Sequence, residues 1–287
     1  MTAIQQKVWF ITGTSTGFGR EMAEQLLSSG EIVVATARKV EQIADLAAKY
    51  PETALALPLD VTDAVAVDFA VAAAISKFER VDVLVNNAGY GICGGIEETT
   101  EAEFMPVFET NVFGLIRLTR AFLPHFRKQR SGSIVNLSSI AGLIGGAGWG
   151  YYNASKFAVN GFSEALAAEM APLVVHVTIV EPGPFRTDFL GRSGVEAANS
   201  ISDYDATVGK TREYFHDQSG KQLGDPVKAV KAIIAAVKSP EPPRHLLLGS
   251  VAFNRMTARL ELWQQDMAAG RETAFGADYD SVPAEAK

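Results

Sequence analysis

The chain has 287 residues, 47% hydrophobic and 21% charged, enough to bury a large core without disulfides or a metal. A formal charge of -7 and a pI near 5.2 argue against a nucleic-acid binder, which needs a basic stripe. One cysteine, Cys93, excludes an intramolecular disulfide, and four histidines without ligand spacing argue against a zinc site.

In chain order, MTAIQQKVWFITG has no basic region followed by a long apolar stretch, so no secretory signal is expected. No apolar run approaches bilayer length, and the expected setting is cytoplasmic. Val8 to Thr12 reads as a first strand. It is followed by TGTSTGFGR, in which Gly13, Ser15, Thr16, Gly17, Phe18 and Gly19 form a glycine loop opening a helix. Glycines there let the backbone approach a pyrophosphate, and the helix N-terminus offers free N–H groups and a positive dipole end. The helix REMAEQLLSSG stops at Gly30. A second strand, Ile32 to Ala37, ends on Ala37, Arg38 and Lys39, where an NAD site would carry an acid for the ribose hydroxyls. Without the acid, Arg38 can hold a 2′-phosphate through paired N–H donors, which favours NADP(H) with NAD(H) as the alternative. The other reading of Arg38 and Lys39 is a pair of solvated surface cations.

Ala54 to Leu59 reads as the third strand, ending at Asp60 and Val61, with Asp60 placed to accept from an adenine amino group. Thr62 and Asp63 are cap candidates for the helix TDAVAVDFAVAAAISKF. Val81 to Asn86, Ser133 to Ser138, Val174 to Val180 and His245 to Gly249 complete the strands. Most are apolar on both faces, and strand–helix alternation from end to end predicts one α/β domain over 1–287. Its fold is a Rossmann-type doubly wound parallel sheet of about seven strands with helices on both faces. Residues 189–224 interrupt the alternation and read as a substrate lid, or as surface decoration. Residues 250–287 read as a C-terminal helical extension, helical at first and loosely ordered from Arg271.

Tyr152 and Lys156 lie four residues apart, on one face of a helix, with Ser139 thirteen residues before Tyr152 at a strand end. An ammonium near a phenol lowers the phenol's pKa and makes it a usable acid or base, and the serine can steady developing charge on oxygen. Tyrosine and lysine at this spacing also occur on ordinary amphipathic surfaces. The pocket candidates Ile92, Cys93, Leu143, Trp149 and Phe189 are apolar or aromatic, joined by Tyr90, Ile144, Phe185, Tyr214 and Phe215. Arg186 and Arg192 keep an acidic substrate open.

With these residues in place, the chain resembles the short-chain dehydrogenase/reductase family from about Lys7 to Asp188. The motifs are TGTSTGFG, NNAG (Asn86 to Gly89), Asn111 in TNVFG, the serine–tyrosine–lysine set and PGPFRT (Pro182 to Thr187). The EPGPFRTDF run, the GFG of the loop and the long tail are similar to its 17β-hydroxysteroid-dehydrogenase-like branch. The resemblance implies that Tyr152 transfers the proton, Lys156 lowers its pKa and binds the nicotinamide ribose, and Ser139 orients the carbonyl. It also implies that Asn111 bends its helix and holds a relay water. Asn87, Ala88 and Gly89 would line the adenine-ribose side, while Pro182, Gly183, Phe185 and Thr187 hold the nicotinamide. Thr16 departs from the basic residue common in NADP-linked members, which leaves phosphate selectivity to Arg38.

The expected function is an NADPH-dependent carbonyl reductase, reversible as an alcohol dehydrogenase, on a hydrophobic ketone, aldehyde or secondary alcohol. Alternatives are an NAD-linked alcohol dehydrogenase, a catalytically silent NADP-binding regulator and a sugar-nucleotide epimerase. By family analogy the chain is expected to form a homodimer or homotetramer through the Tyr152 helix, with no nucleic-acid or membrane partner.

Overall fold

A computed structural model of the protein describes residues 6–279. Seven strands form a parallel sheet: β1 (Val8–Thr12), β2 (Ile32–Ala37), β3 (Ala54–Pro58), β4 (Val83–Asn86), β6 (Gly132–Leu137), β7 (Val175–Pro182) and β9 (His245–Leu248). Their order is β3-β2-β1-β4-β6-β7-β9, and each neighbouring pair is parallel. The chain winds outward from β1 to β3, then returns to β4 and winds the other way. The C-terminal ends of β1 and β4 therefore flank the switch point, where such sheets open a crevice for ligands.

β1 shows why the strands read as apolar on both faces. Trp9 and Ile11 enter one core and Val8 and Phe10 the other, as the period of two requires. On the Trp9 face pack α1 (Gly17–Ser28), α2 (Ala44–Lys49) and α8 (Pro226–Lys238) through Met22, Leu26, Leu46, Val230 and Ile233. On the Phe10 face pack α3 (Ala64–Phe78), α5 (Leu115–Gln129) and α6 (Gly150–Met170) through Val67, Leu118, Phe122 and Leu166. Asp63 caps α3, its side chain accepting from the amides of Val65 and Ala66. Gly30 takes φ +85° just past α1, the left-handed turn that glycine allows at little cost.

β1 and β2 keep the bounds read from the sequence, and the other strands shift by one or two residues at an end, β7 the most, continuing through Glu181 and Pro182. Two three-residue strands, β5 (Gly91–Cys93) and β8 (Gly194–Glu196), were not legible, because so short a segment carries no period; they pair in parallel as a separate small sheet. Between Glu101 and Gln129, α4 (Glu101–Phe108) passes into α5 through a wide π-turn, Glu109–Gly114. The segment 189–224 holds β8 and α7 (Lys210–Asp217). α9 (Ser250–Gly276) is unbroken across Arg271, where loose order was expected; RETAF contains no breaker and continues the helix. The end of the predicted extension, 280–287, lies outside the described residues. No helix among the described residues is long and apolar enough to cross a membrane.

Candidate active site

A cavity of about 1820 Å³ opens over the C-terminal ends of the strands. Its floor is the glycine loop, where Gly13 and Gly17 have φ of +69° and +59°. A Cβ on Gly19 would lie 2.4 Å from the Gly13 carbonyl oxygen, so only glycine fits there. Gly19 lies beneath the cavity lining, while Gly13, Ser15, Thr16, Gly17 and Phe18 face it. The loop is braced from the Asn87 side. The Thr12 hydroxyl oxygen accepts from the amides of Asn87 and Ala88 at 2.9 Å, and the Asn87 amide donates to Thr12 O at 2.8 Å and Gly13 O at 3.1 Å. Asn87 thus lines the cavity while its side chain holds the loop. The N-terminus of α1 has no side-chain cap and no acid in its first turn, leaving its N–H groups for an anion.

Beyond the loop, Arg38, Asp60, Val61, Ala88 and Gly89 line one end of the cavity. Arg38 is exposed and forms no ion pair among the described residues. One oxygen of Asp60 already accepts from the amide and hydroxyl of Thr62, at 2.9 and 2.7 Å. Pro182, Gly183, Phe185 and Thr187 line the other wall.

Ser139, Tyr152 and Lys156 converge on the middle of this cavity. Ser139 follows β6 and caps a short turn, its oxygen accepting from Ala141 N at 3.0 Å. Tyr152 and Lys156 face the sheet from α6, both buried, with Lys156 Nζ 5.8 Å from the Tyr152 ring centre. The ammonium donates to Leu137 O at 2.7 Å. The Tyr152 pKa runs opposite to the sequence expectation of a lowered value. Burial pushes the phenol from 10.0 up to about 12, with its hydrogen bond to Ser139 pulling the other way. Burial also pushes Lys156 down from 10.5 to about 8. At neutral pH the pair therefore holds a protonated phenol beside a protonated amine.

Asn111 does not face the cavity. It sits in the π-turn, buried behind Gly89, and a Cβ on Gly89 would lie 2.9 Å from its Oδ1. Its amide donates to Tyr90 O at 2.9 Å and to the Ser155 hydroxyl at 3.1 Å, and its Oδ1 accepts from Tyr90 N. The residue joins α6 to the strand-end segment bearing Gly89.

Of the five pocket candidates, Trp149 and Phe189 line the cavity; Ile92, Cys93 and Leu143 do not. Ile92 and Cys93 are turned inward by β5, and Cys93 packs with Leu190 and Phe215 beneath the wall. Burial pushes the Cys93 thiol up to about 11, so it is no nucleophile. The Tyr152 ring lies 5.3 Å from Phe189 and 5.8 Å from Trp149, centre to centre, giving the proton donor an aromatic flank. Tyr90, Arg192 and Tyr214 also line the cavity, whereas Arg186 is turned to Gln222 O and Phe215 and Ile144 stay behind.

Among the lining residues that the sequence did not announce, three bear on the site. Val251 and Arg255 come from α9, more than sixty residues past the PGPFRT segment, and no local pattern announces them. Gln222 lines the cavity with its side-chain Nε2 and Oε1 both buried and unpartnered among the described residues. A buried carboxamide without partners is costly unless a ligand completes it. Behind Ser139, Ser138 bonds Asn160, whose amide donates to buried Glu181 at 2.9 Å; His245 Nδ1 lies 2.9 Å from the same oxygen. No cluster of metal-ligating side chains occurs among the described residues.

Comparison with known proteins finds relatives along most of the chain. The model of the short chain dehydrogenase family matches residues 7–197. Oxidoreductase BOA17 of Botryotinia fuckeliana is 40% identical over 244 residues, 85% of this chain and 89% of that one. The 3-ketodihydrosphingosine reductase of Bacteroides thetaiotaomicron is 37% identical over 265 residues, covering 92% and 95%. Among solved structures, a short-chain dehydrogenase from Streptomyces avermitilis superposes with a TM-score of 0.90 at 42% identity, covering 96% of this chain and 100% of that one. A short-chain dehydrogenase/reductase from Burkholderia phymatum in complex with NAD gives 0.78 at 25% identity, covering 94% and 96%. An alcohol dehydrogenase from Thermococcus sibiricus complexed with 5-hydroxy-NADP gives 0.71 at 26%, covering 86% and 98%.

Proposed function

The chain belongs to the short chain dehydrogenase family of NAD(P)-dependent oxidoreductases, and from that premise we propose that it is an NADPH-dependent carbonyl reductase, reversible as an alcohol dehydrogenase, acting on a hydrophobic ketone, aldehyde or secondary alcohol. The observation that carries this reading is the convergence of Ser139, Tyr152 and Lys156 on a cavity that also contains the glycine loop. The chain fits the cofactor: the Gly13–Gly19 cradle excludes a Cβ, and the N-terminus of α1 has free N–H groups.

When bound, the nicotinamide supplies the hydride; the chain supplies position and protons. The Ser139 hydroxyl donates to the substrate oxygen and orients it. Tyr152 holds its proton at neutral pH, the form required to donate to that oxygen in reduction. Lys156 holds the site positive beside the phenol. Asn111 fixes the backbone at Tyr90 against Ser155, keeping Gly89 and α6 in register. The aromatic flank of Trp149 and Phe189 excludes water from the reacting oxygen and favours an apolar substrate. The segment 189–224, which supplies Phe189 and Tyr214 to the wall, acts as the substrate lid.

Preference for NADPH rests on Arg38, exposed, without an ion pair among the described residues and at the cavity end, with no acid on β2 to repel a 2′-phosphate. Carbonyl-dependent oxidation of NADPH and NADH across aliphatic, aromatic and steroid ketones and aldehydes tests both parts. Tyr152→Phe should lower kcat by about 100-fold or more with cofactor affinity nearly unchanged. Arg38→Glu should weaken NADPH at least about tenfold more than NADH, the worth of a charge-assisted phosphate contact. Undiminished turnover by Tyr152→Phe would remove its assigned role, and equal losses for the two cofactors would make Arg38 a structural residue.

A further inference from the structure

α9 leaves the domain early. Ala252 is its only buried residue, and every residue from Leu260 to Gly276 except the half-buried Gly270 is exposed. The helix is 27 residues, about 40 Å long. Helices in proteins draw most of their stability from packing an apolar face, which this one finds little of among the described residues, and it includes a glycine. Its sequence answers the difficulty. Phe253, Met256, Leu260, Trp263, Met267, Gly270 and Ala274 recur with alternating steps of three and four, the seam of a two-stranded helix pair. Phe253 is 63% exposed, Leu260 46%, Trp263 40% and Met267 75%, so at these positions the seam is open to solvent among the described residues, with Met256 and Gly270 half-buried. Leu262 and Phe275 lie off the seam, Phe275 beneath Arg271.

We propose that α9 pairs antiparallel with α9 of a second copy of this chain, about a twofold axis between Glu261 and Leu262. In that register each Leu260 meets the partner's Trp263 and each Met256 meets the partner's Met267. Each Phe253 lies opposite the partner's Gly270, the largest seam residue but one filling the space left by the smallest. Charge follows the same symmetry. Arg259 and Asp266 flank the seam on one side, so each Arg259 faces the partner's Asp266, twice per interface. Neither forms an ion pair within the chain among the described residues, and Arg259 lies 4.8 Å over Trp263, at the edge of the seam. A parallel pair would set Arg259 against the neutral Gln264 instead. α9 carries three arginines against three acids, with no net positive charge, which does not suit an anionic lipid surface. The inference does not depend on the reaction the cavity performs.

Sedimentation equilibrium of the full chain tests it. Leu260→Glu with Trp263→Glu should halve the mass of the assembly at micromolar concentration. Arg259→Asp alone and Asp266→Arg alone should each weaken association about tenfold, two surface pairs being turned into repulsions. The double exchange R259D/D266R should restore affinity to within about threefold of the original, since both pairs re-form reversed. The exchange variants change only flank residues, Asp266 exposed and Arg259 half-buried over Trp263, so they remain informative should the glutamate variant misfold. Three results would overturn the proposal: an unchanged mass in the glutamate variant, no rescue by the double exchange, or binding of the native chain to phosphatidylcholine vesicles that the glutamate variant loses while its mass stays the same.

Discussion

Replacing Arg212 with methionine should loosen the wall of the cavity from a distance. Arg212 stands on α7 and gathers three pieces of chain: it donates to Glu98 at 2.9 Å, to Glu196 at 2.7 Å, and to the carbonyls of Ala197 and Asn199 at 3.1 and 2.7 Å. Its side chain is 13% exposed and that of Glu98 only 1%. Breaking a buried pair from one side costs ~3–5 kcal/mol, because the other charge is stranded. Glu98 keeps its bonds from the amides of Gly95 and Ile201, both 2.8 Å, so the lower end applies. At ~2–4 °C per kcal/mol for a chain somewhat smaller than this one, Arg212→Met should lower the Tm by roughly 6–10 °C. Adding Glu98→Gln removes the stranded charge and should recover more than half of the loss. Because Phe189, Leu190 and Phe215 stand on the segment Arg212 ties down, KM for substrate should rise while cofactor affinity holds. Burial works to raise the Glu98 pKa, but the Ile201 and Gly95 amides and Arg212 outweigh it and hold it below 4.5. A depressed carboxylate stabilises above its ordinary value and loses that contribution as pH falls through the folded one. The Tm gap between native chain and Arg212→Met should therefore narrow as pH is lowered below 4.5. A Tm within about 1 °C of the native chain at pH 7, with KM unaltered, would refute the reasoning.

Two further outcomes follow from groups in the cavity. The fall of Lys156 from 10.5 to about 8 corresponds to ~3 kcal/mol of burial cost, against ~1–3 kcal/mol lost when Leu137 O loses its donor. Lys156→Met should thus abolish turnover yet leave the ligand-free protein as stable or ~1 kcal/mol more so at pH 7. Between pH 8 and 10.5 the unfolded chain binds the proton that the folded one has lost, so native stability rises with pH and the variant's advantage should vanish; an advantage that grows across this range in thermal melts would contradict the assignment. Gln222→Leu should raise the Tm of the ligand-free protein, since two unpaired buried polar atoms disappear, and weaken ligand binding by roughly tenfold in calorimetric titration; unchanged affinity for both cofactor and substrate would place the carboxamide outside recognition.

What was legible in the sequence is what is local. The strands declared themselves through runs apolar on both faces, and the glycine loop through its place between a strand and a helix. The tyrosine and lysine could be paired because one helical turn sets their spacing. Three things escaped for one physical reason, that they are made by chain segments far apart. β5 and β8 exist only because each supplies the other's hydrogen bonds across about a hundred residues. Cys93 looked like a pocket residue beside NNAG, but that pairing turns it under Leu190 and Phe215. The Tyr152 pKa could not be read from the lysine alone, since burial acts on both groups and only the fold sets its extent.

The wide turn at Glu109–Gly114 has a bearing on how this scaffold could change over time. One added residue in an α-helix rotates all that follows by about 100°. The π-turn absorbs such a residue locally, so α4 and α5 keep independent phases along what is nearly one rod. α5 can hold Leu118, Phe122 and Phe126 against the sheet while α4, fixed by its own Thr100–Glu103 capping box, presents Ala102, Met105 and Pro106 to the cavity. Asn111 sits at the joint between the two phases. The face that meets ligand is thereby free to drift in sequence, and even in rotation, without disturbing the one that meets the core.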